Sequence, residues 1–361
     1  MEKYRVGIVG ATGMVGQRFI SLLKDHPWFE VNCVAASARS AGKTYREAVG
    51  ERWAFSWEIP EKVAGMTVVD AADIDEVRKH VDFVFCAVDM KKDEIRALEE
   101  AYAKHEIPVV SNNSACRGIE DVPMVVPEIN ADHLAVIEAQ KKRLGTKNGF
   151  IAVKPNCSIQ SYVPALTPLL DFEPEKVSVC TYQAISGAGK TFKTWPEMVD
   201  NVIPYIGGED EKSENEPLKL WGHVEDGKIV NAALPVISAQ CLRVACSDGH
   251  MAAVSVSFKK KPTIEQIKER WANYETEAQR LELPSAPKPF LQYFEDPSRP
   301  QTRLDRDFQN GFGVSIGRLR EDKLFDYRFV CLSHNTVRGA AGGGILTAEL
   351  LCRKGYIPHR V

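Results

Sequence analysis

Three glycines at three-residue intervals, Gly10, Gly13 and Gly16, lie between a short apolar strand and an amphipathic helix. Val6–Val9 is the strand, and Val15, Phe19, Leu22 and Leu23 fall on one helical face after it. Glycines so placed permit a tight turn, close approach of the backbone to a pyrophosphate and close helix–strand contact. The helix N-terminus adds amide donors for phosphate oxygens. The spacing departs from the strict dinucleotide fingerprint, so its position between strand and helix carries the assignment; the competing reading is an ordinary strand–helix turn. The turn residues Gly10, Thr12, Gly13, Met14, Val15 and Gly16 are therefore candidate cofactor contacts.

The elements that follow extend this start. Val31–Ala36 reads as a second strand, and Val81–Val88 as a strand buried on both faces. Lys91–Lys104 carries Ile95, Leu98 and Tyr102 at helical spacing, and Pro108–Ser111 restarts a strand. This alternation predicts a doubly wound, Rossmann-like parallel sheet, an α/β fold. The second strand ends in Ala36-Ser37-Ala38-Arg39-Ser40, without the acid that usually bonds a ribose 2′-hydroxyl. A cation flanked by two hydroxyls suits a 2′-phosphate, so Ser37, Arg39 and Ser40 point to NADP; the alternative is a solvated loop.

The middle of the chain differs. Val177–Ala184 and Met251–Phe258 read as long strands, the second alternating Val254, Val256 and Phe258 with Ser255 and Ser257. Thr263–Leu281 reads as one amphipathic helix, and Gly207–Glu216, acidic and polar, as a loop. The expectation is an inserted α+β catalytic and dimerisation domain built on an antiparallel sheet. Asn335–Lys354 is helical in pattern and returns to the first domain. The expected division is 1–157 plus 335–361 for the cofactor domain and 158–334 for the other.

Composition narrows the function classes. The 46 basic and 49 acidic side chains leave a net charge of −3, so no global field favours nucleic acid or an anionic membrane. The apolar runs are far shorter than the roughly 18 residues of a membrane span. Met1–Arg5 leads straight into a strand, without the apolar core of a signal peptide. Nine cysteines without a CxxC pair fit a reducing compartment, hence the cytoplasm, and no metal site is expected.

One cysteine stands apart. Cys157, in Lys154-Pro155-Asn156-Cys157-Ser158, follows a Pro-Asn turn and precedes an expected helix over Ile159–Leu170. A thiol at a helix N-terminus has its pKa lowered, and the thiolate is the nucleophile. Most lone cysteines are merely small buried hydrophobes, as Cys86, Cys180, Cys331 and Cys352 are expected to be. Further on, Arg243 and His250 flank one loop ahead of a strand. Arginine suits bidentate carboxylate binding, and histidine suits acid–base work near neutral pH.

Together these segments resemble the aspartate-semialdehyde dehydrogenases. The resemblance rests on Gly10–Gly16, Ser37–Ser40, Ser111–Arg117, Pro155–Ser158, Tyr182–Gly189 and Arg243–His250, in that order over nearly the whole chain. The Pro-Asn-Cys-Ser form is most similar to the archaeal and fungal branch. The resemblance implies NADPH-dependent reduction of an acyl phosphate through a thioester on Cys157, with His250 as acid/base and Gln183 orienting the intermediate. It implies Arg243 on the substrate α-carboxylate, Arg117 and Lys219 on phosphate, and Glu216 on the amine, with Glu209, Glu211 and Glu214 as competitors. Ser158, Ser186, Gly187 and Asn335 match cofactor contacts. A homodimer or homotetramer serving lysine, methionine, threonine and isoleucine biosynthesis is implied.

Rival readings use the same residues differently. A malonyl-CoA reductase would keep Cys157 and His250 without needing an amine-binding Glu216. A silent dinucleotide-binding regulator would not need Cys157, Gln183, Arg243 and His250 together. A cysteine hydrolase would have no use for the glycine turn.

Overall fold

The computed structural model describes residues 2–359; Met1, Arg360 and Val361, at the outer limits of the expected cofactor domain, lie outside the described residues. Six strands form the first sheet: β1 (Tyr4–Val9), β2 (Phe29–Ala36), β3 (Val69–Asp70), β4 (Phe83–Cys86), β5 (Val109–Ser111) and β6 (Ile151–Val153). All pair in parallel, in the order β3-β2-β1-β4-β5-β6. The chain leaves β1 in one direction and resumes at β4 in the other, so a crevice opens at the carboxyl ends of these two neighbours. Phe83, Val84, Phe85 and Cys86 are all fully buried, because helices cover both faces. Helix α1 (Met14–Leu23) stacks Phe19 on Phe85 with ring centroids 4.3 Å apart. Full burial of such a ring contributes roughly 1.5–3 kcal/mol. The expected helix at Lys91–Lys104 is α2 (Lys92–Lys104).

The second sheet has seven strands: β7 (Pro174–Gln183), β8 (Val202–Ile203), β11 (Val236–Val244), β12 (His250–Phe258), β13 (Leu291–Phe294), β14 (Val314–Glu321) and β15 (Tyr327–Ser333). A separate hairpin joins β9 (His223–Glu225) to β10 (Lys228–Val230). The order β13-β14-β15-β12-β7-β11-β8 is mixed, not antiparallel throughout, because β7–β11 and β13–β14 run parallel. Between β7 and β11 the chain makes a crossover that includes a helix, and such a return brings the next strand back in the same direction.

That helix is α3 (Glu209–Leu220), where the sequence led us to expect a loop. Its buried positions include Glu209, Ser213, Glu216 and Leu220 at helical spacing, together with Pro217 and Lys219, and are mostly polar, so no apolar periodicity announced them. Glu209, Asp210 and Glu211 in the first turn complement the helix dipole. Pro217 lies inside the helix and cannot donate to the Ser213 carbonyl. The Tyr162 hydroxyl donates to that carbonyl instead, at 2.5 Å.

Two other expected helices are broken. Thr263–Leu281 is α4 (Ile264–Ala272) and α5 (Glu277–Arg280), because Thr276 with Gln279 forms a second capping box after the one made by Thr263 and Gln266. After Cys157 the chain forms a 3-10 turn (Ser158–Gln160), one helical turn (Val163–Leu166) and another 3-10 segment (Thr167–Phe172). Pro164 and Pro168 withhold the amide hydrogens a continuous helix would need. The C-terminal segment makes an irregular turn over Val337–Ala341 and then α6 (Gly342–Arg353), which packs on β5 and α1 of the first sheet.

Candidate active site

The three glycines do three different things. Gly10 has φ of +90°, and a Cβ there would lie 2.3 Å from the Ala87 carbonyl oxygen on the loop after β4. A Cβ on Gly16 would lie 2.3 Å from the Gly10 carbonyl oxygen, so this glycine lets α1 close on β1. Gly13 is different: its Cβ would meet only the Gly10 oxygen, at 3.5 Å, and otherwise projects into open space. That space is a cavity of about 700 Å³ lined by Gly10, Thr12, Gly13, Ser37, Arg39 and Ser40, among others. No side chain caps α1, and no acid lies in its first turn, so its N-terminal amides are left to an anion.

A dinucleotide with a 2′-phosphate fits this donor set. Arg39 is exposed at the mouth and makes no ion pair among the described residues. Lys43 lines the same cavity and is a cation the sequence reading missed; it lies one turn beyond Ser40. The loop after β4, Ala87 to Met90, also lines it and was missed, although a strand neighbouring β1 at the switch point is where a wall is needed. Met14 and Val15 stand in the first turn of α1 and do not line the cavity with their side chains; Val15 packs against the apolar core.

The thiol lies at the same edge of the first sheet, four residues after β6. His250 opens β12, and its Nε2 is 3.4 Å from Cys157 Sγ. The Ala184 amide donates to His250 Nδ1 at 3.0 Å, which assigns the ring's own hydrogen to Nε2, facing sulfur. Burial and the adjacent Arg243 push the imidazole down to about 3, so the ring stays neutral. Cys157 is itself pushed above the ordinary thiol value, by burial first and then by Glu209, against the pull of Lys154, Arg243 and Arg117. The helix-terminus argument for a lowered thiol pKa therefore fails here: the segment after Cys157 is a single 3-10 turn, too short for a dipole to outweigh burial.

The second sheet delivers its residues from one end. Gln183 ends β7 and is opposite Arg243 on β11, while β12 with His250 flanks β7 on the other side. Arg243 Nη1 donates to the Ala184 carbonyl at 2.7 Å and is 5% exposed. Gln183 Nε2 donates to Glu209 at 3.2 Å, and its carbonyl accepts from the Thr181 hydroxyl at 3.0 Å.

Helix α3 supplies two carboxylates two turns apart, both against Asn156. Glu216 accepts from the Asn156 backbone amide at 2.5 Å and from Arg117 Nη1 at 2.9 Å. Glu209 accepts from the Asn156 side chain at 3.0 Å and from Lys212 at 2.8 Å. Burial opposes ionisation of Glu209, but Lys212, Gln183 and Asn156 outweigh it and hold the carboxyl below its usual range. Of the other competitors, Glu214 is spent on the Ala239 amide of β11 and Glu211 faces solvent. Lys219 donates to the carbonyls of Arg117, Ile119 and Val122, so all three of its hydrogens hold the Arg117 loop. Burial lowers its amine to about 8. Its place against that loop, not an open phosphate site, is what the structure records.

Asn335 donates to the Ser186 hydroxyl at 2.8 Å and accepts from the Gly249 amide at 2.8 Å, tying both loops beside His250. Gly187 presses on Arg243 and His250. Ser158 is fully buried and bonds Asn156 and Ser213 within the cysteine turn, away from the cofactor cavity. Lys154, fully enclosed beside this turn, is a further charged group the sequence reading left unassigned.

The chain matches two family models: a semialdehyde dehydrogenase NAD-binding domain over residues 5–137 and a semialdehyde dehydrogenase dimerisation domain over residues 166–338. It is 43% identical over 357 residues to the aspartate-semialdehyde dehydrogenase of Archaeoglobus fulgidus, covering 98% of this chain and 100% of that one. It is 45% identical over 360 residues to that of Schizosaccharomyces pombe, covering 98% and 99%. The crystal structure of the Candida albicans enzyme with NADP superimposes with a TM-score of 0.89 at 39% identity, covering 99% of this chain and 100% of that one.

Proposed function

The chain belongs to the aspartate-semialdehyde dehydrogenase family, and from that premise we propose how this site performs the reductive dephosphorylation of L-4-aspartyl phosphate to L-aspartate 4-semialdehyde. The observation that carries the reading is the part-buried Cys157 thiol 3.4 Å from the His250 ring nitrogen, at the edge of a sheet whose crevice fits NADP. Cys157 as thiolate forms a bond to the acyl carbon, and the carbon–oxygen bond to phosphate breaks, leaving a thioester and inorganic phosphate. NADPH, when bound, supplies the hydride that reduces this thioester.

His250 acts as a fixed donor. Its Nε2–H is aimed where negative charge develops, first on the oxygen of the acyl adduct and then on that of the thiohemiacetal. Neither oxyanion needs full protonation: its collapse re-forms a carbonyl and expels phosphate in the first case and thiolate in the second. A neutral imidazole suffices, and burial beside Arg243 keeps it so. Arg243 offers a planar fork to the α-carboxylate, and Glu216 or Glu209 faces the ammonium. Gln183 and Glu209, bonded to each other, hold the opposite wall. Arg117, beside Glu216, is the cation for the phosphoryl group. A malonyl-CoA substrate would bring no ammonium for the carboxylates of α3.

The cofactor is NADP, with Ser37, Arg39 and Ser40 on the 2′-phosphate. The cofactor domain comprises 1–157 and 335–361 and the catalytic and dimerisation domain 158–334, supported by the two sheets and by α6 packing on the first. Val199, Val202, Tyr205, Leu234 and Val236 are each more than half exposed around the β8–β11 edge, an apolar surface suited to a second copy in a homodimer or a tetramer. Among the described residues no helix is long and apolar enough to cross a membrane, and the cytoplasm is the proposed location. The decisive experiment is a short pulse of acyl phosphate without NADPH followed by mass spectrometry. The reading requires the acyl adduct on Cys157 and none in Cys157→Ala; an adduct on another cysteine refutes it.

A further inference from the structure

Helix α2 buries Ile95, Glu99, Tyr102 and Ala103 on the face that packs against β5 and β6. A carboxyl group, fully buried, thus stands in the middle of an apolar stripe. Such a group is costly to bury and is tolerated where hydrogen bonds satisfy it. Both bonds to Glu99 come from the chain at the end of β5 and just past it. The Ser111 hydroxyl donates to Oε1 at 2.5 Å, and Asn113 Nδ2 donates to the same oxygen at 2.9 Å. With its own hydrogen on Glu99, Ser111 Oγ accepts the Asn113 backbone amide at 3.0 Å. That amide and the Asn112 carbonyl are two ends of one planar peptide group. Glu99 therefore sets the direction in which the Asn112 carbonyl points.

Arg117 rests on that carbonyl. Its Nη2 donates to the Asn112 oxygen at 3.1 Å, while Nη1 is taken by Glu216. Its Nε is buried without a partner among the described residues, which leaves a donor for the phosphoryl group. The other bonds at the start of the loop extend the sheet and hold different peptide groups. The Asn112 amide donates to the Cys86 carbonyl, and the Lys154 amide donates to the Ser111 carbonyl, each at 2.9 Å. Lys219 grips the far end of the loop, at the Arg117, Ile119 and Val122 carbonyls. We propose that Glu99 is a positioning residue for the phosphate-binding cation. It acts through Ser111 and Asn113 on the Asn112 carbonyl, and through that carbonyl on the Arg117 guanidinium. Glu99 touches neither substrate nor the reacting atoms.

The inference rests on Arg117 meeting the phosphoryl group, and the experiment separates the two. NADP-dependent oxidation of aspartate semialdehyde is followed with inorganic phosphate varied, in wild type, Arg117→Ala, Glu99→Leu and Glu99→Gln. Arg117→Ala should raise the KM for phosphate about tenfold or more, as loss of a charge-assisted bond demands. Glu99→Leu should raise it about three- to tenfold, by displacing that cation, and leave the KM for NADP within about twofold. Glu99→Gln, whose amide oxygen can accept from both Ser111 and Asn113, should keep the phosphate KM within about twofold of wild type. A phosphate KM unchanged in Glu99→Leu but raised in Arg117→Ala overturns the proposal and leaves Arg117 on phosphate. An unchanged value in Arg117→Ala overturns both. Equal rises in the KM for phosphate, NADP and aldehyde would mark structural damage alone and overturn it too. So would a Glu99→Gln enzyme as impaired as Glu99→Leu. Should Glu99→Leu fail to fold, Ser111→Ala deletes a single oxygen and frees the same peptide group. It should raise the phosphate KM selectively, and an unchanged value there overturns the proposal.

Discussion

Gly187→Ala tests whether the histidine and arginine form a fixed wall. The added methyl would lie 2.8 Å from Arg243 Nη1 and 3.0 Å from both His250 Nε2 and Cε1. Ordinary contact for a carbon is roughly 3.5–4.0 Å, so methyl or ring must retreat by about 0.5–1 Å. Neither neighbour is loose, because the Ala184 carbonyl holds Arg243 at 2.7 Å and the Ala184 amide holds His250 at 3.0 Å. Overpacking of this kind costs about 1–3 kcal/mol, equivalent to roughly 5- to 150-fold in rate if it falls on the transition state. Gly187 and Ala188 are exposed, although Ile185 at the start of the turn is buried, so the fold sheds little stability and the cost falls on the site. We expect kcat in single-turnover reduction to drop within that range, with the thermal midpoint close to wild type. Gly65→Ala, whose methyl would meet nothing within 4 Å, is the control. An unchanged kcat would mean that the turn backs away freely and that His250 is not held by its surroundings. A rise in the KM for NADPH alone would mean that Gly187 contacts cofactor without positioning the ring.

Arg39→Ala should weaken NADPH about ten- to a hundredfold and NADH little, as expected for a charge-assisted bond to phosphate worth roughly 1.5–3 kcal/mol; equal losses by isothermal titration would remove Arg39 from the 2′-phosphate. Glu216→Gln should lower kcat/KM for aspartate semialdehyde about tenfold or more relative to succinate semialdehyde, which lacks the amine. A selective loss in Glu209→Gln instead would move amine binding two turns earlier on α3. His250 is held down to about 3, below its unfolded value, so the unfolded chain binds the extra proton between these pH values. Stability should therefore fall as pH drops from about 6.5 toward 3, with this residue contributing up to about 1.4 kcal/mol per pH unit. Urea unfolding of His250→Asn should show a shallower slope there; an unchanged slope would mean the ring is charged in the fold.

Much of the first sheet was legible because its signals are local. The turn from Gly10 to Gly16, the apolar run around Phe83–Cys86 and the face of α2 each depend on residues near one another in the chain. Cys157 was legible for the same reason: Pro155 and Asn156 mark its turn whatever surrounds it. The residues that act on Cys157 are another matter. Helix α3 buries a polar face, so hydrophobic periodicity was silent, and only its docking against Asn156 and β11 makes Glu209 and Glu216 comprehensible. Thr276 restarted a helix where the charge pattern ran on, and Pro164 and Pro168 broke one where the apolar pattern ran on. Sequence by itself determined which side chains carry chemistry, since nucleophile, donor, fork and carboxylates are properties of residue type. Their protonation states were decided by the tertiary structure alone. Burial taxes every charge by an amount set by neighbours distant in the chain, and the backbone amide of Ala184, just past the end of β7, chooses the nitrogen on which His250 keeps its hydrogen.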